Sequence, residues 1–129
     1  MRHLTTRLSV AFAAGAVGAI ANSLAVQLAG RLRSSATVPS FTPEWIYQRL
    51  IWGGIFGLLL LLPLLRGRPV LQGLLISLAP SVARLTVFAP ADASASVASI
   101  ALVLVFNAIW GVVAALWYHR AQKGALQAG

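Results

Sequence analysis

The sequence predicts an all-α integral membrane protein with four transmembrane helices, arranged as two tandem helical hairpins in a single domain over residues 1–129. Composition is the first reason: 59% of the residues are apolar and only 9% are charged, whereas soluble domains carry about a quarter charged residues. A soluble fold of this size could not cover so much apolar surface. The same balance argues against a soluble enzyme, a disordered basic tail and a nucleic-acid-binding domain, despite the net charge of +8.

Four long apolar segments are the second reason, because about 20 apolar residues cross a hydrocarbon core about 30 Å thick. Each must be helical, since an unpaired backbone group in lipid costs several kcal/mol. Residues 42–44, Thr-Pro-Glu, are typical of a helix start, and residues 66–69, Arg-Gly-Arg-Pro, predict a tight turn. Pro80 is expected to kink the third helix. The predicted spans cover residues 8–29, 45–65, 70–89 and 96–118.

The positions of the cations predict the orientation. Six of them lie near the N-terminus, in the second loop and in the C-terminal tail, whereas the first loop carries two and the third none. Cytoplasmic loops are enriched in Lys and Arg. We therefore expect a multi-pass protein of the inner (plasma) membrane with both termini in the cytoplasm.

A secretory signal peptide is the alternative interpretation of the N-terminal segment. Residues 1–25 would then supply the basic region and the apolar region, with Ser23-Leu24-Ala25 as a small-residue cleavage site. The apolar run is longer than is usual for a signal peptide. Cleavage would leave three helices, with the termini on opposite sides of the membrane.

At an offset of 58 residues the chain aligns with itself, the first predicted helix with the third and the second with the fourth. This pattern favours a duplicated helical hairpin, with copies over 8–65 and 66–123. Two spans return the chain to its starting side, so the copies would run parallel. The identical pairs include Gly15 and Gly73, Ser23 and Ser81, Trp52 and Trp110, and Gly53 and Gly111. The alternative to an internal repeat is that Ile-Trp-Gly recurs through biased composition.

One face of each predicted helix carries small and polar residues, while Leu, Val, Ile and Phe cover the rest. In membrane bundles, small residues let helices approach closely and polar residues prefer the protein interior. We therefore expect a tight, partly polar core, with lipid against the aliphatic faces. The predicted helix-packing glycines are Gly15, Gly18, Gly53, Gly57, Gly73 and Gly111.

The polar side chains within the predicted spans gather in the outer half of the bilayer. Arg84 is the most informative, because arginine at such depth is costly and indicates a functional site by default. The only two acids, Glu44 and Asp92, are predicted on the same side. These placements favour an outward-opening polar pocket. Its candidate binding residues are Asn22, Arg49, Ser81, Arg84 and Asn107.

A purely structural role is the alternative for the same side chains. Arg49 would extend its charged group to the interface, and Arg84 would pair with one of the two acids. Asn22 and Asn107 would be interhelical hydrogen-bond partners, each worth about 1 kcal/mol.

Several residue types needed for catalysis or metal binding are absent or far apart in the sequence. The chain has no cysteine, and its two histidines, His3 and His119, are predicted across the membrane from both carboxylates. Because general acid–base catalysis needs a titratable group held near its target, we expect no enzyme activity, no cofactor and no metal. No carboxylate or histidine lies within a predicted span, which disfavours a proton-coupled exchanger. The chain resembles the small four-helix inner-membrane proteins of bacteria.

Two functions remain after these exclusions. The first is a non-enzymatic scaffold or accessory subunit, in contact with the lipid bilayer and with a membrane-protein partner or a second copy. The second is a small oligomeric channel or carrier for an anionic or polar solute. Four short helices leave little room for a pore within one chain, which favours the first.

Overall fold

The computed structural model describes residues 2–33, 39–89, 91 and 96–127, and this part of the chain is helical and contains no strand. It forms four helical segments, of which the third is divided in two. The helices are α1 (Arg2–Leu32), α2 (Pro43–Gly57) with a 3-10 extension (Leu58–Leu61), α3 (Pro69–Ile76), α4 (Leu78–Leu85) and α5 (Val97–Gln127).

Two of the helices are long and apolar enough to cross a membrane. They cover His3–Leu32, with a mean hydropathy of 1.7, and Val97–Ala125, with a mean hydropathy of 2.3. The segment Pro69–Leu85 is apolar but shorter, and α2 has 15 residues. The all-helical class is therefore confirmed, while the crossing of the membrane by the four segments stays a prediction.

The second segment ends earlier than the predicted 65, because Pro63 follows Leu62. The residue before a proline is pushed out of the helical region, and Leu62 accordingly has a ψ of 137°. The start of α2 follows the sequence pattern: Thr42 accepts a hydrogen bond from the backbone N–H of Trp45 at 3.3 Å. Pro43 is the first helical residue.

The third segment is interrupted where Pro80 predicts it. Proline offers no N–H to the carbonyl one turn earlier, and the helix breaks at Ser77, between α3 and α4. The turn before this segment also follows the sequence, with Gly67 at a φ of 85°. Pro69 then begins α3.

The helices pack in a fixed order, with α1 between α2 and α5, and with α3 and α4 against α5. Glycines lie where these helices cross. A Cβ on Gly57 would come within 2.7 Å of the Gly15 Cα, and a Cβ on Gly15 would overlap the Gly53 carbonyl oxygen. Gly18 meets Trp110 of α5 in the same way, and Gly73 and Gly111 oppose each other between α3 and α5.

The buried core of the described residues is made largely of small and polar side chains. The fully buried residues include Ala11, Ala14, Ala114 and Ala115. Buried polar residues, such as Asn22, accompany them, whereas many leucines, valines and aromatic residues of the same helices are exposed. Small residues therefore form many of the helix contacts, together with a few large buried residues such as Leu60, Ile76 and Trp110, and many other large apolar residues lie on the outer surface.

Candidate functional site

A cavity of about 800 Å³ lies between α1, α2, α4 and α5. It is at the end of the bundle where α1 and α4 finish and where α2 and α5 begin. Helices α2 and α4 face each other across it, and the edge of the Trp52 ring contacts the Phe88 ring at a centroid distance of 5.1 Å. The cavity therefore occupies the side of the bundle on which two helices do not pack along their lengths.

Arg49 of α2 is fixed at the wall of this cavity by α1. Its Nε donates to Ser23 Oγ at 2.9 Å, and its Nη2 donates to Asn22 Oδ1. Both acceptors are themselves held, because Ser23 donates to the Ala19 carbonyl at 2.7 Å and Asn22 donates to the Phe106 carbonyl at 2.7 Å. The network joins α1, α2 and α5 and gives the guanidinium one orientation.

An aromatic ring covers one face of the same guanidinium. The Cζ atom of Arg49 lies 4.6 Å from the centroid of the Trp45 ring, within the range of a cation–π contact. Arginine carries five N–H donors. Within the described part of the chain the hydrogen bonds of Arg49 use Nε and Nη2, and Arg49 is one of the residues that line the cavity.

Arg84 of α4 is the second cation of the cavity wall. It is exposed, and its Nη1 donates to the Phe88 carbonyl at 2.8 Å. Among the described residues no carboxylate lines the cavity, and no ion pair joins Arg84 to Glu44, which is exposed in the first turn of α2. Asp92, the other predicted partner, lies outside the described residues.

Asn107 of α5 lies at the same cavity, and its Nδ2 donates to Ser81 Oγ at 3.2 Å. Ser81 is buried behind Asn107 and donates to the Ser77 carbonyl at 2.8 Å. Of the five predicted binding residues, the structure therefore brings four to the cavity wall. Those four are Asn22, Arg49, Arg84 and Asn107, whereas Ser81 supports Asn107 from behind.

Equivalent contacts recur in the two hairpins at the offset of 58 residues. In the first, Arg49 donates to Ser23, which donates to the carbonyl of Ala19. In the second, Asn107 donates to Ser81, which donates to the carbonyl one turn before it. The crossing of Gly15 with Gly53 recurs in the same way as the crossing of Gly73 with Gly111.

The sequence interpretation missed the aromatic lining of the cavity. Trp45, Trp52 and Phe56 all line it together with Arg49. Their spacing of three to four residues puts all four on one face of α2, so helical periodicity alone could have found them. On α5, Trp110 closes the cavity next to Phe56 and donates from Nε1 to the Gly15 carbonyl of α1 at 2.9 Å.

A polar contact at the opposite end of the bundle was also missed. His119 lies just beyond the predicted fourth span, which ends at residue 118. Helix α5 continues to Gln127, however, and a ring nitrogen of His119 lies 2.8 Å from the side-chain oxygen of the buried Gln72. This contact joins α3 to α5, and sequence spacing alone does not pair the two residues.

No protein-family model, no curated protein and no solved structure matches the chain. Within the described residues, no three His, Cys, Asp or Glu side chains come together to hold a metal ion. The two guanidinium groups of the cavity wall are donors suited to a phosphate or a carboxylate.

Proposed function

We propose that this protein is a multi-pass membrane protein with four segments in the bilayer and both termini in the cytoplasm. The exposed apolar surface supports this. Only 17% of the most apolar window of α5 is buried, and 39% of that of α1, whereas the core helix of a soluble protein is mostly buried. Large contiguous apolar surfaces are rare on soluble monomers.

The shorter segments are compatible with the same proposal. Helix α2 with its 3-10 extension has a length of about 30 Å, and α3 with α4 has about 25 Å, at the usual rise per residue. A small shortfall against the hydrocarbon core is accommodated by local thinning of the bilayer. The apolar residues 62–65 and 87–89 would extend the two segments at their ends.

Within this architecture, we propose that the protein binds an anionic solute in the cavity, as a small carrier or channel subunit. The observation that carries the proposal is the fixed guanidinium of Arg49 at a cavity that also holds Arg84 and, among its described lining residues, no carboxylate. Unpaired cations within a membrane are costly, and a bound anion would offset that cost.

A scaffold or accessory subunit stays the alternative proposal. The sequence favours it on the ground that one chain has little room for a solute. The cavity of about 800 Å³ does have room for a solute, because ligand sites occupy about 300–1,000 Å³. A scaffold would need neither the cavity nor its charge.

We further propose that the fold arose by duplication of a helical hairpin, with copies over 8–65 and 66–123. The recurrence of both the glycine crossing and the serine hydrogen bond at the same offset supports this proposal. Each copy would place its start and end in the cytoplasm.

The experiment uses the absence of cysteine in the native chain. A Ser99→Cys variant places one thiol in the cavity wall, and its reaction rates with an anionic and a cationic thiosulfonate reagent are compared. Two unit charges about 4 Å apart in water interact by about 1 kcal/mol. A cation near the thiol attracts one reagent and repels the other, a difference of about 2 kcal/mol, so we expect the anionic reagent to react roughly thirtyfold faster.

The matched variants locate the source of that preference. Adding Arg84→Gln to Ser99→Cys should reduce the rate ratio severalfold, whereas adding Arg66→Gln, in the turn at the other end of the bundle, should leave it unchanged. Equal rates for the two reagents in the otherwise native chain would refute the anion site and leave the scaffold as the better proposal.

A further inference from the structure

We infer that the occupant of the cavity is an anionic amphiphile, with a phosphate or carboxylate headgroup at Arg49 and Arg84 and an apolar chain along the aromatic wall. This inference depends on the anion site proposed above and names its ligand class. It also assigns the route of entry, which lies between α2 and α4 and leads directly from the lipid.

The composition of the wall favours an amphiphile over a small inorganic ion. The lining includes the rings of Trp45, Trp52, Phe56, Phe88 and Trp110. An inorganic phosphate or sulfate at the two arginines would leave most of the cavity unfilled and would make little contact with these rings. An apolar chain would fill that space and remove the ring faces from water.

The charged and apolar parts of the wall are ordered along α2. Arg49 lies in the second turn of the helix, near the end of the bundle, whereas Trp52 and Phe56 follow one and two turns deeper. Arg49 and Phe56 are about 10 Å apart along the helix axis at the usual rise per residue. The headgroup site is therefore at the membrane surface, and the apolar wall leads inward, as an acyl chain does in a leaflet.

The side of the cavity between α2 and α4 is closed by side chains rather than by helix packing. Trp52 and Phe88 meet there edge to face, and they are 45% and 44% exposed. Both rings line the cavity and are only partly covered by other residues. A rotation of either ring would open the cavity to a chain that arrives from the surrounding lipid.

The test uses the full-length protein in nanodiscs of zwitterionic phosphatidylcholine, with tryptophan fluorescence as the readout. Three of the four tryptophans line the cavity. The probes are alkyl phosphates with a brominated chain, which quenches a tryptophan on contact, and phosphocholines with the same chain. We expect the alkyl phosphate to reach half-maximal quenching at a concentration at least tenfold lower.

Two variants and one control assign the preference to the cavity. Arg49→Met should abolish the tenfold preference, and Arg84→Gln should reduce it severalfold. Arg84→Gln should leave the helix packing intact, because the hydrogen bond of Arg84 is to the Phe88 carbonyl of its own segment. Arg66→Gln should leave the preference unchanged.

Chain length gives an independent measurement. Each methylene that enters an apolar site increases affinity about fourfold. We therefore expect affinity to rise with chain length until the wall is filled, about 10 Å from the headgroup. A brominated carboxylate and a two-chain brominated phosphatidate then separate a free fatty acid from a bilayer lipid as the source, and preferential quenching by either supports the inference.

Two results would overturn the inference, and they have different meanings. If inorganic phosphate competes with the alkyl phosphate at equal concentration, the site takes small anions, and only the amphiphile is excluded. If neither the anionic amphiphiles nor phosphate is preferred over phosphocholine, the anion site itself is excluded as well.

Discussion

Arg49 is either held at the cavity wall by its hydrogen bond to Asn22 or free to extend to the interface. The coupling free energy between the two side chains distinguishes these possibilities. The perturbation is a double-mutant cycle of Asn22→Leu and Arg49→Met. Asn22 also donates to the Phe106 carbonyl. The hydrogen bond to Phe106 is lost in the Asn22→Leu variant and in the double variant alike, so its contribution cancels from the coupling free energy.

The expected magnitude follows from the charge of the donor. Hydrogen bonds to charged groups contribute about 1.5–3 kcal/mol, roughly twice the value for neutral pairs. Neutral hydrogen bonds between membrane helices average about 0.6 kcal/mol. We therefore expect a coupling of about 1.5 kcal/mol for Arg49 with Asn22, and about 0.6 kcal/mol for the neutral pair Asn107 and Ser81, which bond at 3.2 Å.

The assay is equilibrium unfolding in mixed micelles, titrated with an anionic detergent and monitored by far-ultraviolet circular dichroism. The Asn107→Leu and Ser81→Ala cycle is the control, because it removes a hydrogen bond between two neutral side chains on different helices. A coupling for Arg49 and Asn22 no larger than that of the control would refute the reasoning. It would mean that the guanidinium spends its time at the interface and is not positioned for a ligand.

Two further predictions concern packing and topology. Gly73→Ala should destabilise the protein by about 1–3 kcal/mol, because the added Cβ would come within 2.6 Å of the Gly111 carbonyl carbon. A Cβ added at Gly124 would have nothing within 4 Å, so Gly124→Ala should be neutral or slightly stabilising. Unfolding in mixed micelles measures both, and equal effects would contradict a close helix crossing. In intact cells, a membrane-impermeant maleimide should label Ser40→Cys but not Arg66→Cys, and the reverse pattern would contradict the proposed orientation.

The parts of the fold that the sequence predicts are those that depend on neighbours in the chain. Thr42 and Pro43 start α2 because capping needs only the next three residues, and Gly67 makes its turn for a similar reason. The two proline effects were equally local. The helix breaks near Pro80, as its position predicts, and Pro63 ends the helix at Leu62 within the predicted second span.

The parts that the sequence does not predict depend on how helices meet. Helical periodicity puts Arg49 and Asn107 on polar faces, but it does not say which helices face each other. That α2 packs on α1, while it meets α4 only across a cavity, follows from the order of the four segments in space. The volume of the cavity and its aromatic wall are consequences of that order, so they required the structure.

The proposed duplication gives a physical reason for the location of the site. The positions at which the hairpins agree, such as Gly15 with Gly73 and Ser23 with Ser81, form the helix crossings and the buried serine contacts. The hairpins differ at two positions that belong to the proposed anion site. The equivalent of Asn22 is Pro80 and that of Arg49 is Asn107, so the first hairpin holds a charge where the second has a neutral amide and a helix break.

That difference also explains why one side of the bundle is open. If the hairpins were related by a two-fold axis along the membrane normal, the close packing of α1 on α5 would recur between the third segment and α2. The break before Pro80 interrupts the third segment on that side, and Pro80 itself lines the cavity. The same divergence thus leaves a space between α2 and α4 and leaves one fixed arginine to face it. Under the proposed duplication, both hairpins would have retained the glycine crossings, while a charged side chain at the position of Arg49 is present in the first hairpin and an amide in the second.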